Sequence, residues 1–439
     1  MKSDDALLAA WEETLAQKRD APAIFDTGGE VRRTFADIES RAREWEGKIE
    51  DDAVYPIDHG NQPDWPSLLL AALRRKVVAL PLESTITVSQ REAALRLCKE
   101  GDWDAPRPVL LKLTSGTTAA PRAIRFRSEQ LLADCLQICD TMGITSNDVN
   151  FGVIPLSHSY GFSNLVTPLL VRGVGMVLSR DRMPRAVLDD LARTGATVFP
   201  GMPVFYQAFC EMENAPPLPK LRLCISAGAP LPLEVARKFR DKFQRSIHSF
   251  YGSSECGGIC YDREASLEEA GFVGPPMDGV KIEILEPNGS ASRIRIQSAA
   301  AGDGYFPEPD RDKLGDGFFT PDDLLSPSDS GFRIVGRVSD VINVAGKKVN
   351  PAEVEAELLR FDGVRAAVVF GRGSILRNEE VAACVAASGG VREAELLEFC
   401  RGRLSGWQVP KRIFFVEEIP VNERGKISRR ELAQRFSSR

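Results

Sequence analysis

The stretch Leu111–Phe126, LKLTSGTTAAPRAIRF, decides how the rest of the chain is read. Val109, Leu110, Leu111 and Leu113 form an apolar run expected to be a buried strand, and Ala123–Phe126 is expected to be extended again. Between them stand Thr114, Ser115, Gly116, Thr117 and Thr118, then Ala119, Ala120, Pro121 and the cationic Arg122. Small residues leave backbone N–H groups open, and with the hydroxyls they can hold an oxyanion. The expectation is strand–loop–strand, unlike the G-x-x-x-x-G-K-[ST] loop, which runs from a strand straight into a helix. Ser128 is placed to cap the next helix, with Leu131, Leu132, Cys135, Leu136 and Cys139 on one stripe. Taken alone, TSGTT reads equally as a Ser/Thr-rich surface turn.

Upstream, Ser3 or Asp4 can start a helix with Leu7, Leu8, Trp11 and Leu15 inward. Residues 23–26 and 31–33 suggest a hairpin, and Thr34 caps a second helix. Val54–Ile57 and Val77–Leu82 read as strands around a helix, an alternation that implies a layered α/β domain with parallel pairing. Downstream, the strands at Phe151–Pro155, Val198–Pro203, Leu221–Ser226 and Ser246–Phe250 each end in small residues and glycine. Four such ends on one edge make an α/β ligand crevice. From Val273 to Val335 the strands become short, and after Asp340 a compact α+β domain is expected, with a helix opening at Pro351.

The 439 residues suggest two domains. A net charge of −6 argues against nucleic acid as the main partner. Nine scattered cysteines without a C-x-x-C pair suit reduced thiols in a cytoplasmic protein. Three histidines make a His-built zinc site improbable. The N-terminus has no signal-peptide core, and Arg74, Arg75 and Lys76 interrupt the most apolar stretch, so no integral membrane segment is expected.

Four further blocks accompany the loop: Tyr251-Gly252-Ser253-Ser254-Glu255, Gly315–Asp322 (GDGFFTPD), Gly336–Asp340 (GRVSD), and Glu423–Arg430 (ERGKISRR). Each alone has an ordinary reading, such as a strand-end turn, an acidic turn or a basic tail. In this order and spacing they resemble the adenylate-forming superfamily, which includes acyl-CoA synthetases and the AMP-dependent synthetases and ligases. The family loop is T-S-G-[ST]-T-G-x-P-K-G; here Ala119 and Ala123 replace glycines, and Arg122 replaces lysine. Arginine keeps the charge and offers phosphate a planar fork. Alanine would be strained only where the backbone needs positive φ, so the turn is expected at Gly116.

The resemblance implies an α/β fold: a large N-terminal domain of layered, mostly parallel sheets over residues 1–335, its front shortened and with a β-rich subdomain. A hinge at 336–340 and a small mobile α+β C-terminal domain at 341–439 would follow. It implies that Thr114–Thr118 and Arg122 hold the ATP phosphates and that Gly228, Ala229 and Pro230 lie against adenine. Tyr251, Gly252, Ser253 and Ser254 would complete the nucleotide site, with Glu255 on Mg²⁺. Asp322 would grip the ribose, with Asp323 a nearby competitor, and Arg337 would contact ribose or phosphate. Ser339 would be the hinge residue, Gly346 would line the pantetheine tunnel, and Lys426 would neutralise charge during adenylation.

His158 stands where relatives gate the acyl pocket, although a lone histidine at a strand end is often structural. Phe162, Phe205, Gly257, Gly258 and Ile259 are expected to line that pocket, the glycines leaving room for a ring or chain. No acidic residue occurs between Asn150 and Ser179, which disfavours an amino-acid substrate. The expected activity is ATP-dependent formation of an acyl-adenylate and then a thioester with CoA, from an aromatic or medium-to-long-chain acid. Phosphopantetheine on an acyl carrier protein is the alternative acceptor. A nucleotide-binding pseudoenzyme or regulatory subunit is the alternative of another class.

Overall fold

The computed structural model describes residues 4–50, 53–99, 101, 103, 107–114, 122–266, 269–285, 291–374, 378–420 and 429–436. They belong to two compact units. One comprises residues 1–283, 295–320 and 327–333; the other comprises 284–294, 321–326 and 334–439.

The first unit holds a five-stranded sheet in the order Gly304–Phe306, Arg122–Phe126, Leu110–Thr114, Val78–Pro81, Val54–Ile57. Leu110–Thr114 and Arg122–Phe126 pair antiparallel from Leu110↔Phe126 to Thr114↔Arg122, as the strand–loop–strand reading expects. Thr114 Oγ1 donates to the Arg122 carbonyl at 3.2 Å and ties the base of the loop. Leu111 and Ala123 share one face with Val78, Leu80 and Trp103. Ala123 lies in this regular strand and is absent from the positive-φ residues, so alanine replaces glycine there without strain. Ala119 and the rest of the loop lie outside the described residues.

The expected cap is displaced by one residue. Helix Ser128–Met142 starts at Ser128, and Arg127 is the capping position, its N–H donating to Gln130 Oε1 at 2.8 Å. The Ser128 hydroxyl is occupied by Asp5. The buried stripe is Leu131, Asp134, Cys135, Ile138 and Cys139, while Leu132 and Leu136 are only partly buried.

This unit also holds an eight-stranded sheet, in the order Gly257–Tyr261, Ile247–Ser253, Leu223–Ser226, Val198–Gly201, Val149–Gly152, Gly175–Leu178, Pro22–Phe25, Val31–Thr34, and short strands such as Phe272–Gly274, Leu314–Gly315 and Phe318–Phe319 in smaller sheets. The strands from Ile247–Ser253 to Pro22–Phe25 run parallel, and an antiparallel hairpin closes each edge. The edge at Gly257–Tyr261 corrects the sequence reading. Tyr251, Gly252 and Ser253 continue the strand, and the chain turns back only at Ser254–Cys256. An aromatic cluster of Phe151, Phe199, Phe205, Tyr206, Phe209 and Phe239 packs against this sheet.

In the second unit the sheet runs Lys347–Val349, Ile342–Val344, Asn378–Ala387, Val364–Ser374, with Arg412–Val416 parallel to Asn378–Ala387. Helices Pro351–Leu358 and Glu393–Arg401 cover it, seated by Val354, Leu358, Leu396 and Cys400. All nine cysteines are free thiols, and among the described residues no helix is long and apolar enough to cross a membrane.

Candidate active site

Parallel pairing brings the C-terminal ends of Val149–Gly152, Val198–Gly201, Leu223–Ser226 and Ile247–Ser253 to one edge of the sheet. The strand after Val149–Gly152 lies on one side of it and the next lies on the other, so the topological switch falls between Val149–Gly152 and Val198–Gly201. Loops diverge at such a point and leave a crevice. Tyr160 bridges it, its hydroxyl donating to the Gly201 carbonyl at 3.2 Å. Gly228, at φ +86°, Ala229 and Pro230 are exposed beyond Leu223–Ser226 on the same edge.

The Tyr251–Glu255 block forms one arm and the turn of the hairpin. Gly252 faces Gly258 across it, and a Cβ on Gly252 would come 2.8 Å from the Gly257 carbonyl oxygen. Ser253 Oγ accepts from the N–H groups of Glu255 and Cys256, both at 3.2 Å, which fixes the turn. Ser254 Oγ meets Ser159 Oγ at 2.9 Å, joining this turn to the His158 loop.

Glu255, at the tip, is held by a residue that the motif reading did not single out. Tyr305 donates its hydroxyl to Glu255 Oε1 at 3.1 Å. The Tyr305 ring carries the Arg122 guanidinium at 4.2 Å, a cation–π contact. Strand Gly304–Phe306 pairs with Arg122–Phe126 in the register Tyr305↔Ile124, which places the tyrosine on the same sheet face as Arg122. Burial pushes the Glu255 carboxyl above its ordinary range, while the Tyr305 hydrogen bond and the charge of Lys313 pull it back.

The expected pocket residues occupy two environments. His158 is exposed, and its Nδ1 accepts from the Tyr160 N–H at 3.2 Å in the cap of a short turn. Phe162, Phe205 and Ile259 are buried. Phe162 meets Trp65 edge-on at 6.0 Å, and Phe205 meets Phe199 at 6.1 Å. At the glycine pair, the room a side chain would need is filled from within the protein. A Cβ on Gly257 would lie 1.9 Å from Asp134 Oδ1, and one on Gly258 would lie 2.6 Å from Met277 Sδ. Nor is the region free of carboxylates, because helix Ser128–Met142 supplies Asp134. Asp134 accepts from Ser163 Oγ at 2.5 Å and from the Gly258 N–H at 2.9 Å.

In the second unit, Asp322 is exposed and its carbonyl accepts from the Val338 N–H at 2.7 Å. Arg337 Nε donates to Asp323 Oδ1 at 2.9 Å, so the arginine of the Gly336–Asp340 block is paired with the second of the two aspartates. Ser339 lies in a single helical turn, Val338–Asp340. Ala345 (φ +51°) and Gly346 (φ +86°) form the two-residue turn between Ile342–Val344 and Lys347–Val349, the left-handed pair that a tight hairpin requires. Lys426 lies outside the described residues. Three positions later, Arg429 pairs with Asp340 and Glu355, each at 2.8 Å, and Nε donates to the Val369 carbonyl at 2.9 Å.

Residues 97–305 match the family described as AMP-binding enzyme, and residues 353–426 match the AMP-binding enzyme C-terminal domain. A feruloyl-CoA synthase from an Amycolatopsis species is 29% identical over 342 residues, covering 74% of this chain and 70% of that protein. A 3,4-dihydroxybenzoate–[aryl-carrier protein] ligase from Bacillus anthracis is 28% identical, covering 75% and 74%. Among solved structures, ATP-bound MatB from Rhodopseudomonas palustris superposes with a TM-score of 0.85 over 98% of each chain at 22% identity, a likeness in fold.

Proposed function

From the premise that this chain belongs to the AMP-binding enzyme family of adenylate-forming ligases, we propose which residues carry its chemistry and which acids it takes. The enzyme is an AMP-forming acid–thiol ligase: ATP and a carboxylic acid give acyl-AMP and pyrophosphate, and a thiol then displaces AMP. The observation that carries the site assignment is the Arg122–Tyr305–Glu255 relay. It ties the cation at the end of the phosphate loop to the carboxylate of the Tyr251–Glu255 hairpin.

In this reading Thr114–Thr118 and Arg122 bind the phosphates, and Gly228–Pro230 flank adenine. Asp322 and Arg337 hold the ribose, and Lys426 faces the charge that develops as carboxylate attacks the α-phosphate. A Mg²⁺ ion fits Glu255, a hard oxygen donor, and when bound it neutralises phosphate charge. Among the described residues there is no cluster of three or more metal-ligating side chains. Glu255 is the side chain that would hold the ion. Tyr305 orients that carboxylate and favours its ionised form.

CoA is the thiol we propose, with carrier-protein phosphopantetheine the second reading because one relative bears that name. Residues 336–340 would be the hinge and Gly346 the point where pantetheine passes the backbone. The acid is aromatic or a medium-to-long chain, supported by the aryl substrates named for the relatives. The cytoplasm suits the free thiols. Pyrophosphate release with a panel of carboxylic acids, followed by thioester analysis with CoA, tests this. Release that no acid stimulates would favour a binding-only protein.

A further inference from the structure

Lys112 lies on strand Leu110–Thr114, two residues before the loop, and no family motif uses it. It is only 6% exposed. Its ammonium stands 4.6 Å from the Phe126 ring centre and 5.3 Å from that of Phe162. Among the described residues it has no hydrogen-bond partner and no close ion pair. Asp134 is its largest charged influence, with Glu255 and Cys256 next. The Asp134 oxygens, however, are directed at Ser163 Oγ and the Gly258 N–H. An ammonium taken from water without a hydrogen-bonded counter-group is costly, and proteins keep such groups where something satisfies them.

Its location suggests what does. In the register of the hairpin, Lys112 faces Ile124, which also pairs with Tyr305, so Lys112 shares a sheet face with the tyrosine that orients Glu255. Phe162, one of its two aromatic neighbours, follows directly on the His158–Gly161 loop. The ammonium is thus walled by aromatic rings beneath the crevice where the Tyr251–Glu255 turn and the His158 loop meet.

We propose that Lys112 is a specificity-determining residue, and that the acid activated here carries a second acidic oxygen group, a carboxylate or an ionisable phenol, that seats against its Nζ. The buried rings of Phe126 and Phe162 hold the lysine side chain in place, and its ammonium reads the end of the acid remote from the reacting carboxylate. This rests on the ligase reading and sharpens its substrate class.

The test compares the wild type with Lys112→Met, which keeps the length and removes the charge. The probes are benzoate, 4-hydroxybenzoate, terephthalate, hexanoate and adipate. Pyrophosphate release and calorimetric binding of each acid are both measured. The expected result is a wild-type preference of about tenfold or more for the acids with a second oxygen group over their plain counterparts, lost in the variant. Activity on benzoate or hexanoate should be kept or raised. An unchanged preference, or an equal loss on all five acids, overturns the role of Lys112. Absence of pyrophosphate from the wild type with every acid instead overturns the ligase reading, and binding still reports on the lysine. Lys112→Arg, which retains the charge, should retain the preference if the variant folds; if it does not, the role is structural.

Discussion

The hydroxyl of Tyr305 donates to Oε1 of Glu255 at 3.1 Å, and this bond opposes the effect of burial on the carboxylate proposed to meet Mg²⁺. Burial raises the Glu255 pKa, and the tyrosine lowers it. Removing the hydroxyl in Tyr305→Phe should therefore raise it further. The carboxylate form is then reached only at higher pH, so the acidic limb of kcat/KM against pH should move upward. Loss of a hydrogen bond to a charged group should also lower kcat/KM about tenfold. A profile that keeps its acidic limb would show that Tyr305 packs without tuning Glu255.

Asp322 and Asp323 are the two candidates for the proposed ribose contact, and the structure gives them different surroundings. Asp323 is engaged with Arg337 Nε, while Asp322 has the more exposed position. Asp322→Asn should raise the KM for ATP about tenfold and leave the KM for the acid unchanged. Asp323→Asn should act less on ATP. The reverse ranking in ATP titrations would assign the ribose to Asp323.

Local sequence made some of this legible and left other parts hidden. The hairpin at 110–126 announced itself because apolar alternation on both sides frames a hydroxyl-rich turn. The Thr34 cap of the helix Phe35–Glu46 could be read from the sequence, and the structure adds Asp37 as its reciprocal partner. Strand ends converging on one edge followed from the α/β alternation. What stayed hidden depends on contacts between distant segments. Tyr305 is 50 residues from Glu255 in sequence, and only register with Arg122–Phe126 brings it to the site. Asp134 sits on an otherwise apolar stripe, where its charge could be noticed but its partners could not. The glycines at 257 and 258 looked like open space because sequence does not show which side chain fills a gap.

That correction has a measurable consequence. Gly257 has φ +69°, and a Cβ there would overlap the Asp134 carboxylate. Gly257→Ala should cost above about 3 kcal/mol, from the left-handed backbone and from displacing a buried, hydrogen-bonded carboxylate. Gly258→Ala meets a flexible thioether, Met277 Sδ at 2.6 Å, and should cost only about 1–3 kcal/mol. Urea unfolding of both variants gives the ranking. Equal and small losses would mean that the hairpin has room to move.

Burial raises the pKa of Asp134 as well, and the sign of its contribution to stability can be worked out. A carboxyl with a higher pKa folded than unfolded binds more protons in the native state. Stability should then fall as pH rises from the ordinary carboxylate range through the native pKa. Asp134→Asn, which keeps one acceptor for Ser163 or Gly258, should flatten that part of the curve. Chemical denaturation at a series of pH values checks this, and a slope unchanged by the substitution would assign the dependence to other groups.

Lys426 supplies the most direct test of the catalytic assignment. The residues described beyond it begin at Arg429, whose bonds to Asp340, Glu355 and the Val369 carbonyl fix the start of helix Arg429–Phe436 within the second unit. The proposed task of Lys426, neutralising carboxylate and α-phosphate as they approach, exists only in the first half-reaction. Lys426→Ala should therefore lower acid-dependent pyrophosphate release roughly a hundredfold or more, the scale expected for losing one charge-stabilising donor. Thioester formation from supplied acyl-AMP and CoA should proceed near the wild-type rate. Arg429→Ala gives the contrast, because it removes the anchor and should lower stability and both half-reactions together. If Lys426→Ala slows both half-reactions equally, the lysine belongs with Arg429 as a structural residue.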